Sequence, residues 1–182
     1  MNGWDKKRKV KKRYDLTADM YDARYAEEQK AKYHAALANS EPKGLVLDVG
    51  CGSGLFLDQL SLKTSEVVGI DISKGLLLKA RERAKKLVNV TLVQADADHL
   101  PFEDGQFDGI YSFTVLQNMP TPRVTLLEAR RTARDGSMLV VAGLKRVFSM
   151  ATLKKLLRYA GLQEISIEDI ENLKCYIVLA RK

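Results

Sequence analysis

A doubly wound, mainly parallel α/β sheet of seven strands, with helices on both faces and a C-terminal antiparallel hairpin, is the fold class this sequence predicts. Three observations carry that expectation. From Leu45 onward, short apolar runs of strand length alternate with segments of helical apolar spacing. The first run, Leu45 to Val49, feeds directly into a turn with glycine at alternate positions, Gly50-Cys51-Gly52-Ser53-Gly54. The alternation stops only near the C-terminus, where two strand-like runs come in succession. A length of 182 residues suits one domain with a core of its own.

The elements follow in order. Residues 1–13 form a basic tail with seven cations against Asp5, a net of +6 that leaves about +1 of the chain's +7 for all the rest. Such a run is either a solvated, solubilising segment or an arm for a polyanion, each phosphate contact releasing counterions. Residues 14–40 read as one or two helices, with Tyr14, Tyr21, Tyr25 and Tyr33 spaced to share a side. Those rings either pack the helix onto the sheet or, at Tyr21 or Tyr25, form a lid. Glu41-Pro42-Lys43-Gly44 breaks the helix before the first strand.

Leu55 to Leu60 continues as a helix, and Glu66 to Asp71 is the second strand, ending on a carboxylate seventeen residues past Gly54. Ser73 caps a helix expected to run to Leu87 with Leu76, Leu77, Ala80 and Ala84 inward. Val90 to Val93 and Phe107 to Phe113 are the third and fourth strands, followed by a loop from Leu116 to Pro122. A helix over Val124 to Ala133 should end at an Asp135-Gly136 turn, before a fifth strand at Met138 to Ala142. Ser149 caps a helix from Met150 to Tyr159 closed by Gly161, and the last strands are Gln163 to Ile167 and Cys175 to Ala180.

Composition narrows the function classes. No apolar run reaches the length of a membrane span and no signal-peptide core is visible, so a cytoplasmic protein without membrane contact is expected. Cys51 and Cys175 are too few for a disulfide framework and have no zinc-ligand spacing, so no metal site is expected.

The glycine turn follows a strand, where a ligand can lie against the main chain. No Gly-Lys-Ser/Thr follows, which excludes a P-loop, and Leu55 stands where a dinucleotide fingerprint needs its third glycine. The stretch Val46 to Gly54, Asp71 in Val68-Gly69-Ile70-Asp71-Ile72-Ser73, Asp96-Ala97, and Phe107-Asp108-Gly109-Ile110-Tyr111-Ser112 together resemble the motifs of class I (Rossmann-like) S-adenosylmethionine-dependent methyltransferases. The resemblance implies a single methyltransferase domain, placed over residues 14–182 with the 14–40 helical segment read above as its lid, and S-adenosylmethionine as cofactor. It implies that Gly50, Gly52 and Gly54 cradle the cofactor, with Asp48 beside them. Asp71 would accept the ribose hydroxyls, with Ile72 beside it in the cofactor site, Asp96 and Ala97 would meet adenine, and Ser112 would face the methyl group, while Tyr21 joins the cofactor-binding set as the lid residue. An ionised carboxylate at Asp71 suits a diol, because it accepts two charge-assisted hydrogen bonds.

Departures fall after the fourth strand. Related small-molecule enzymes often carry a Leu-His-His sequence and a Lys-Pro-Gly-Gly turn; here stand Leu116-Gln117-Asn118 and Arg134-Asp135-Gly136-Ser137. Ser112, Phe113, Gln117 and Asn118 are the candidates at the acceptor, the amides for a base edge and Phe113 for stacking. With the basic tail, these point to methylation of an RNA base nitrogen, ribosomal RNA before transfer RNA and cytidine N4 among the atoms. A small-molecule methyltransferase and a noncatalytic cofactor-binding subunit are the alternatives, and a helper subunit or homodimer is the expected company.

Overall fold

In the computed structural model, which describes residues 3–182, the chain runs α1 (Gly3–Ala38), β1 (Leu45–Val49), α2 (Leu57–Ser61), β2 (Glu66–Asp71), α3 (Lys74–Ala84), β3 (Val90–Gln94) and β4 (Phe107–Phe113). A 3₁₀ turn (Leu116–Asn118) then leads into α4 (Pro122–Thr132), β5 (Ala133–Leu144), α5 (Met150–Tyr159), β6 (Gln163–Glu168) and β7 (Cys175–Arg181). The seven strands form one sheet in the order β3-β2-β1-β4-β5-β7-β6. The first five are parallel, and β7 lies antiparallel between β5 and β6, so the C-terminal hairpin inserts its second strand inward.

The strand order reverses between β1 and β4, which leaves a crevice at their carboxyl ends, the place where open α/β sheets hold ligands. Apolar residues alternate across the sheet. Val46, Val140 and Ala142 pack with Phe56, Leu57, Leu60 and the Tyr33 and Ala36 face of α1. Leu47, Leu139 and Val141 pack on the other side with Leu126 of α4 and Leu153 and Leu157 of α5. The central strands are therefore covered on both faces, as their continuous apolar sequences require.

The largest correction concerns the N-terminus. No break separates a tail at 1–13 from a lid at 14–40: one helix of 36 residues runs from Gly3 to Ala38, and residues 1 and 2 of the expected tail lie outside the described residues. Between Trp4 and Glu41 the chain has neither glycine nor proline. Charge pairs along the helix, Lys11–Asp15 at 2.7 Å and Glu28–Lys32 at 2.9 Å, add i,i+4 support. Docking does more than these pairs. Asp15 accepts from the Ser73 hydroxyl (2.7 Å) and the Gly75 amide (2.9 Å) at the start of α3, and Asp22 binds both Ser53 and Arg83. Gly75 permits this approach, since a Cβ there would lie 3.1 Å from the Asp15 Cα.

Smaller differences have local causes. The helix expected at Leu55–Leu60 starts only at Leu57, because the chain is still turning through Phe56. The helix expected to reach Leu87 stops at Ala84. The strand expected at Met138 begins at Ala133: Phe107 pairs with Ala133, the register shifts, and Gly109 pairs with Met138, so Asp135-Gly136 is an irregularity within β5 rather than a separate turn. Ser73 and Ser149 cap α3 and α5 as expected, accepting from Leu76 and Thr152.

Candidate active site

The carboxyl ends of β1 to β4 and the underside of α1 enclose a narrow groove. At its floor the Gly50 and Cys51 amides both donate to the Ile70 carbonyl at 2.8 Å, which fastens the glycine turn to β2. Gly50 has φ +74°, and a Cβ on it would lie 2.3 Å from Val115 Cγ2. Gly52 has φ +59° and faces the Tyr21 ring across the groove, where a Cβ would sit 3.5 Å from the hydroxyl. Gly54 has a different place: it is buried against Leu57 and the Ala80 backbone of α3, and it does not line the groove.

Asp71 reaches the groove with both oxygens oriented by the backbone. Oδ2 accepts from the Gly52 amide at 3.0 Å and Oδ1 from the Ser73 amide at 2.8 Å. Burial raises its pKa to about 6, against the lowering effect of these N–H groups. Each oxygen keeps a lone pair for another donor. Asp48 is 2 % exposed and lies beneath the turn, off the groove lining. Burial, and then the Asp71 charge, push its pKa to about 8, so it is mostly neutral at pH 7 rather than a standing negative charge.

The far end of the groove is lined by Ala95, Asp96 and Ala97, with Ile72 beside Asp71. Asp96 already has a partner that sequence reasoning missed. Lys7, buried in the first turns of α1, places Nζ 2.6 Å from Asp96 Oδ2 and 2.7 Å from Asp98 Oδ2. Burial works against the Lys7 charge, but hydrogen bonds and Coulombic attraction from the two aspartates outweigh it and hold its pKa above the ordinary lysine value. Lys6 Nζ donates to the Met119 carbonyl at 2.5 Å. The helix end is thus strapped across the groove, and the basic run spends several of its charges on its own chain.

Tyr14 and Tyr21, with ring centroids 6.0 Å apart, roof the middle of the groove. Tyr33 instead stacks on Phe56 at 4.4 Å in the core, so the tyrosine series divides between lid and packing. Burial raises the Tyr21 phenol pKa, which keeps it neutral. Phe113 reaches the groove but its ring is held edge-on by Tyr33 and Phe56, at 5.0 and 5.2 Å. Ser112 is buried outside the lining, and its Oγ has no partner among the described residues.

Past Phe113 the backbone is strained: Thr114 takes φ +60°, a left-handed conformation that a β-branched residue seldom adopts. Its carbonyl accepts from Gln117 Nε2 and, at 3.2 Å, from Asn118 Nδ2, while its hydroxyl accepts from Gln29 Nε2 at 3.2 Å. The two amides predicted to meet the acceptor therefore also hold this turn, and Asn118 donates to the Tyr14 hydroxyl at 3.3 Å. A second, wider cavity of about 680 Å³ opens on the other side, and Tyr14, Tyr21, Thr114 and Asn118 line both spaces. Gln117, Gln29 and Lys32 line the second cavity. Thr114, Gln29 and Lys32 had no signal in the sequence: the Thr114 turn is held by side chains from other segments, and the two helical residues look like wet-face positions.

These residues fit an adenosyl cofactor. The turn is open at Gly52, where a side chain would fill the gap below Tyr21, and Asp71 offers two oriented acceptors one residue beyond the last β1–β2 pair. Cys51, whose thiol pKa burial raises well above its usual value, is a packing residue of the turn. Among the described residues no His, Cys, Asp or Glu cluster could hold a metal ion, and no helix is long and apolar enough to cross a membrane.

Residues 47–141 match a family model described as "Methyltransferase domain". A demethylmenaquinone methyltransferase of Staphylococcus aureus is 41% identical over 102 residues, covering 54% of this chain and 42% of that protein. The O-methyltransferase cnsE of Penicillium expansum is 36% identical over 135 residues, covering 70% of this chain and 49% of that protein. The chain thus spans about half the length of these curated relatives or less. In structure, it superposes on a chain of the complex between the Haloferax volcanii Trm112 methyltransferase activator and a methyltransferase, with TM-score 0.78, 20% identity and coverage of 92% of this chain and 96% of that one.

Proposed function

This chain belongs to the methyltransferase-domain family, and from that premise we propose that it transfers the methyl group of S-adenosylmethionine to a small molecule. The observation that carries the reading is the second cavity, which meets the cofactor groove at Tyr14, Tyr21, Thr114 and Asn118 and has the dimensions of a small-molecule site. The two curated relatives described above support it, one named for demethylmenaquinone and the other for O-methylation.

Two observations favour a small molecule over the expected RNA base as acceptor. Neither relative is named for RNA, and the basic segment meant to hold RNA is helical and docked, with Lys7 buried on Asp96 and Asp98 and Lys6 on Met119. A helper subunit is compatible with this reading, since the Haloferax volcanii neighbour comes from a complex with an activator.

The cofactor, when bound, supplies an electrophilic methyl carbon on a sulfonium. The chain's own residues bind, orient and exclude water. Asp71 would accept from the ribose diol, Gly50 and Gly52 would leave the backbone open to the aminoacyl part, and Ala97 and Asp96 would border the adenine. Tyr21 and Tyr14 shield the groove from solvent, and the strained Thr114 turn, held by Gln29, Gln117 and Asn118, forms the rim across which donor and acceptor meet. Neither proton-accepting group at this rim is poised as a base: Tyr21 is held neutral, and Glu28, despite its burial, is held ionised and weakly basic by Lys32 and Lys174. Acceptors whose nucleophilic atom needs no strong base suit such a rim.

The test is transfer of tritium from labelled S-adenosylmethionine, offered with either a protein-free metabolite extract or total RNA. Label should enter the metabolite fraction with little dependence on salt. Label in RNA, falling steeply with added salt as phosphate contacts would require, would overturn the reading. Binding of S-adenosylhomocysteine with no label in either fraction would favour the noncatalytic alternative.

A further inference from the structure

The second cavity is lined by Arg13, Lys32, Lys145, Arg146 and Lys174 but by only one carboxylate, Glu28. Lys32 is 2 % exposed, an unusual place for an ammonium. It lies 2.9 Å from Glu28 Oε1, and Lys174 lies 3.3 Å from Glu28 Oε2, so two cations share a single anion. Lys145 pairs with Asp169 at 2.6 Å. Arg13 leans on neutral groups, stacking over the Tyr14 ring and donating to Asn118 Oδ1 at 3.2 Å. Arg146 has no acidic partner among the described residues. Five cations set against Glu28 and Asp169 leave three positive charges in excess around one cleft. A cleft of one sign walled by protein concentrates counter-ions.

We infer that the acceptor cavity takes a molecule bearing an anionic group, a carboxylate or a phosphate, which docks on Lys32, Lys174 and Arg146 while the methyl-accepting end lies at the Thr114 rim. The inference rests on the small-molecule reading for its second half and on the charge layout alone for its first. Gln29 connects the two ends. Its Nε2 donates to the Tyr21 and Thr114 hydroxyls, each at 3.2 Å, and its Oε1 lies 3.5 Å from Lys32 Nζ. An anion at Lys32 is therefore read, through one buried side chain, by the groups that border the cofactor groove. Glu28 already caps Lys32 on one side, and the remaining positive excess is confined to one cleft rather than spread along a surface, so the site suits a small anion rather than a polyanion.

The experiment is calorimetric titration of the full chain, loaded with S-adenosylhomocysteine, with three probes: benzoate, inorganic phosphate and uncharged benzamide. One or both anions should bind, at least about tenfold more tightly than benzamide, the scale of one charge-assisted contact; which of them binds identifies the source of the charge. The double variant Lys174→Gln, Arg146→Gln changes two exposed residues, so the core is untouched, and S-adenosylhomocysteine binding reports that it is folded. It should weaken the anion about tenfold or more and leave benzamide unchanged. Equal affinity for all three probes, no binding of either anion, or an anion affinity that the double change does not alter would overturn the site. Selective anion binding without methyl transfer to any metabolite would keep the anion site and remove the functional reading. Methyl transfer confined to uncharged acceptors would do the reverse.

Discussion

Asp48 and Asp71 end or nearly end adjacent strands, and their surroundings assign them different work. Asp71 has two backbone amides on its oxygens and its pKa at about 6, so it is mostly ionised at neutral pH and able to accept from a diol. Protonation removes acceptor strength, so affinity for S-adenosylhomocysteine should be level above pH 7 and fall as pH drops through about 6. Asp71→Asn should cost roughly one to two powers of ten in affinity at pH 7.5, the loss of charge-assisted hydrogen bonds. It should also flatten the profile; calorimetry at several pH values checks both, and an unchanged affinity at pH 5 would sink the assignment.

Asp48 has the opposite use. Its folded pKa of about 8 stands above an ordinary unfolded carboxylate of about 4, so the native state holds a proton that the unfolded chain has lost between those values. The unfolded state binds fewer protons across that window, and stability therefore declines as pH rises from about 4 to about 8 and then levels. Asp48→Asn removes this contribution. The melting temperature of the variant, relative to the parent, should climb between pH 5 and pH 8, and a constant difference across that range would refute the account.

At the scale of the element, α1 decides access. Lys7 ties its first turns to Asp96 and Asp98, Lys6 ties them to Met119, and Tyr14 and Tyr21 complete the roof. A cofactor entering the groove has to pass beneath this strap. Changing Lys6 and Lys7 together to Met should speed association of S-adenosylhomocysteine by about tenfold or more, the gain from removing a charge-assisted contact that must open first. Stopped-flow tyrosine fluorescence would measure it, and an unchanged association rate would show that the strap does not gate entry. The same change leaves Asp96 and Asp98 buried without their cation, so a loss of stability of about 3 kcal/mol should accompany it.

The strap also shows where sequence reading ends. Strands β1 to β4 were legible because apolar runs of strand length carry their own boundaries, and Asp71 and Asp96 were legible because they stop such runs. Lys7 was not: in Lys6-Lys7-Arg8-Lys9 one side chain is buried, Lys6 is half-buried and Arg8 and Lys9 are exposed, and only the position of Asp96 and Asp98 on a distant loop decides which is buried. Gly54 followed the glycine pattern into the cofactor set, yet its missing side chain serves α3, whose approach no local pattern reports. Thr114 carries its strain because Gln29, Gln117 and Asn118 converge on it from two separate segments.

For the whole molecule, α1 makes the cofactor groove and the sheet one cooperative structure. It touches α3 and the 3₁₀ turn at one end, and it reaches the C-terminal strand β7 at the other, where Lys174, just before the strand, pairs with Glu28. A ligand under α1 consequently stabilises an element that holds both halves of the sheet. At a free concentration one hundred times its dissociation constant, a ligand specific to the native state adds about 2.7 kcal/mol. For a domain of 182 residues, each kcal/mol moves the midpoint by roughly 2–4 °C. S-adenosylhomocysteine should therefore raise the melting temperature by about 5–11 °C. Calorimetry should show the shift as one transition, because Glu28, Asp15, Asp22 and Lys7 bind α1 to elements on both sides of the reversal in strand order. Two separated transitions, with only the lower one moving, would mean that α1 and the first strands unfold apart from the C-terminal half, and the coupling inferred from these contacts would be wrong.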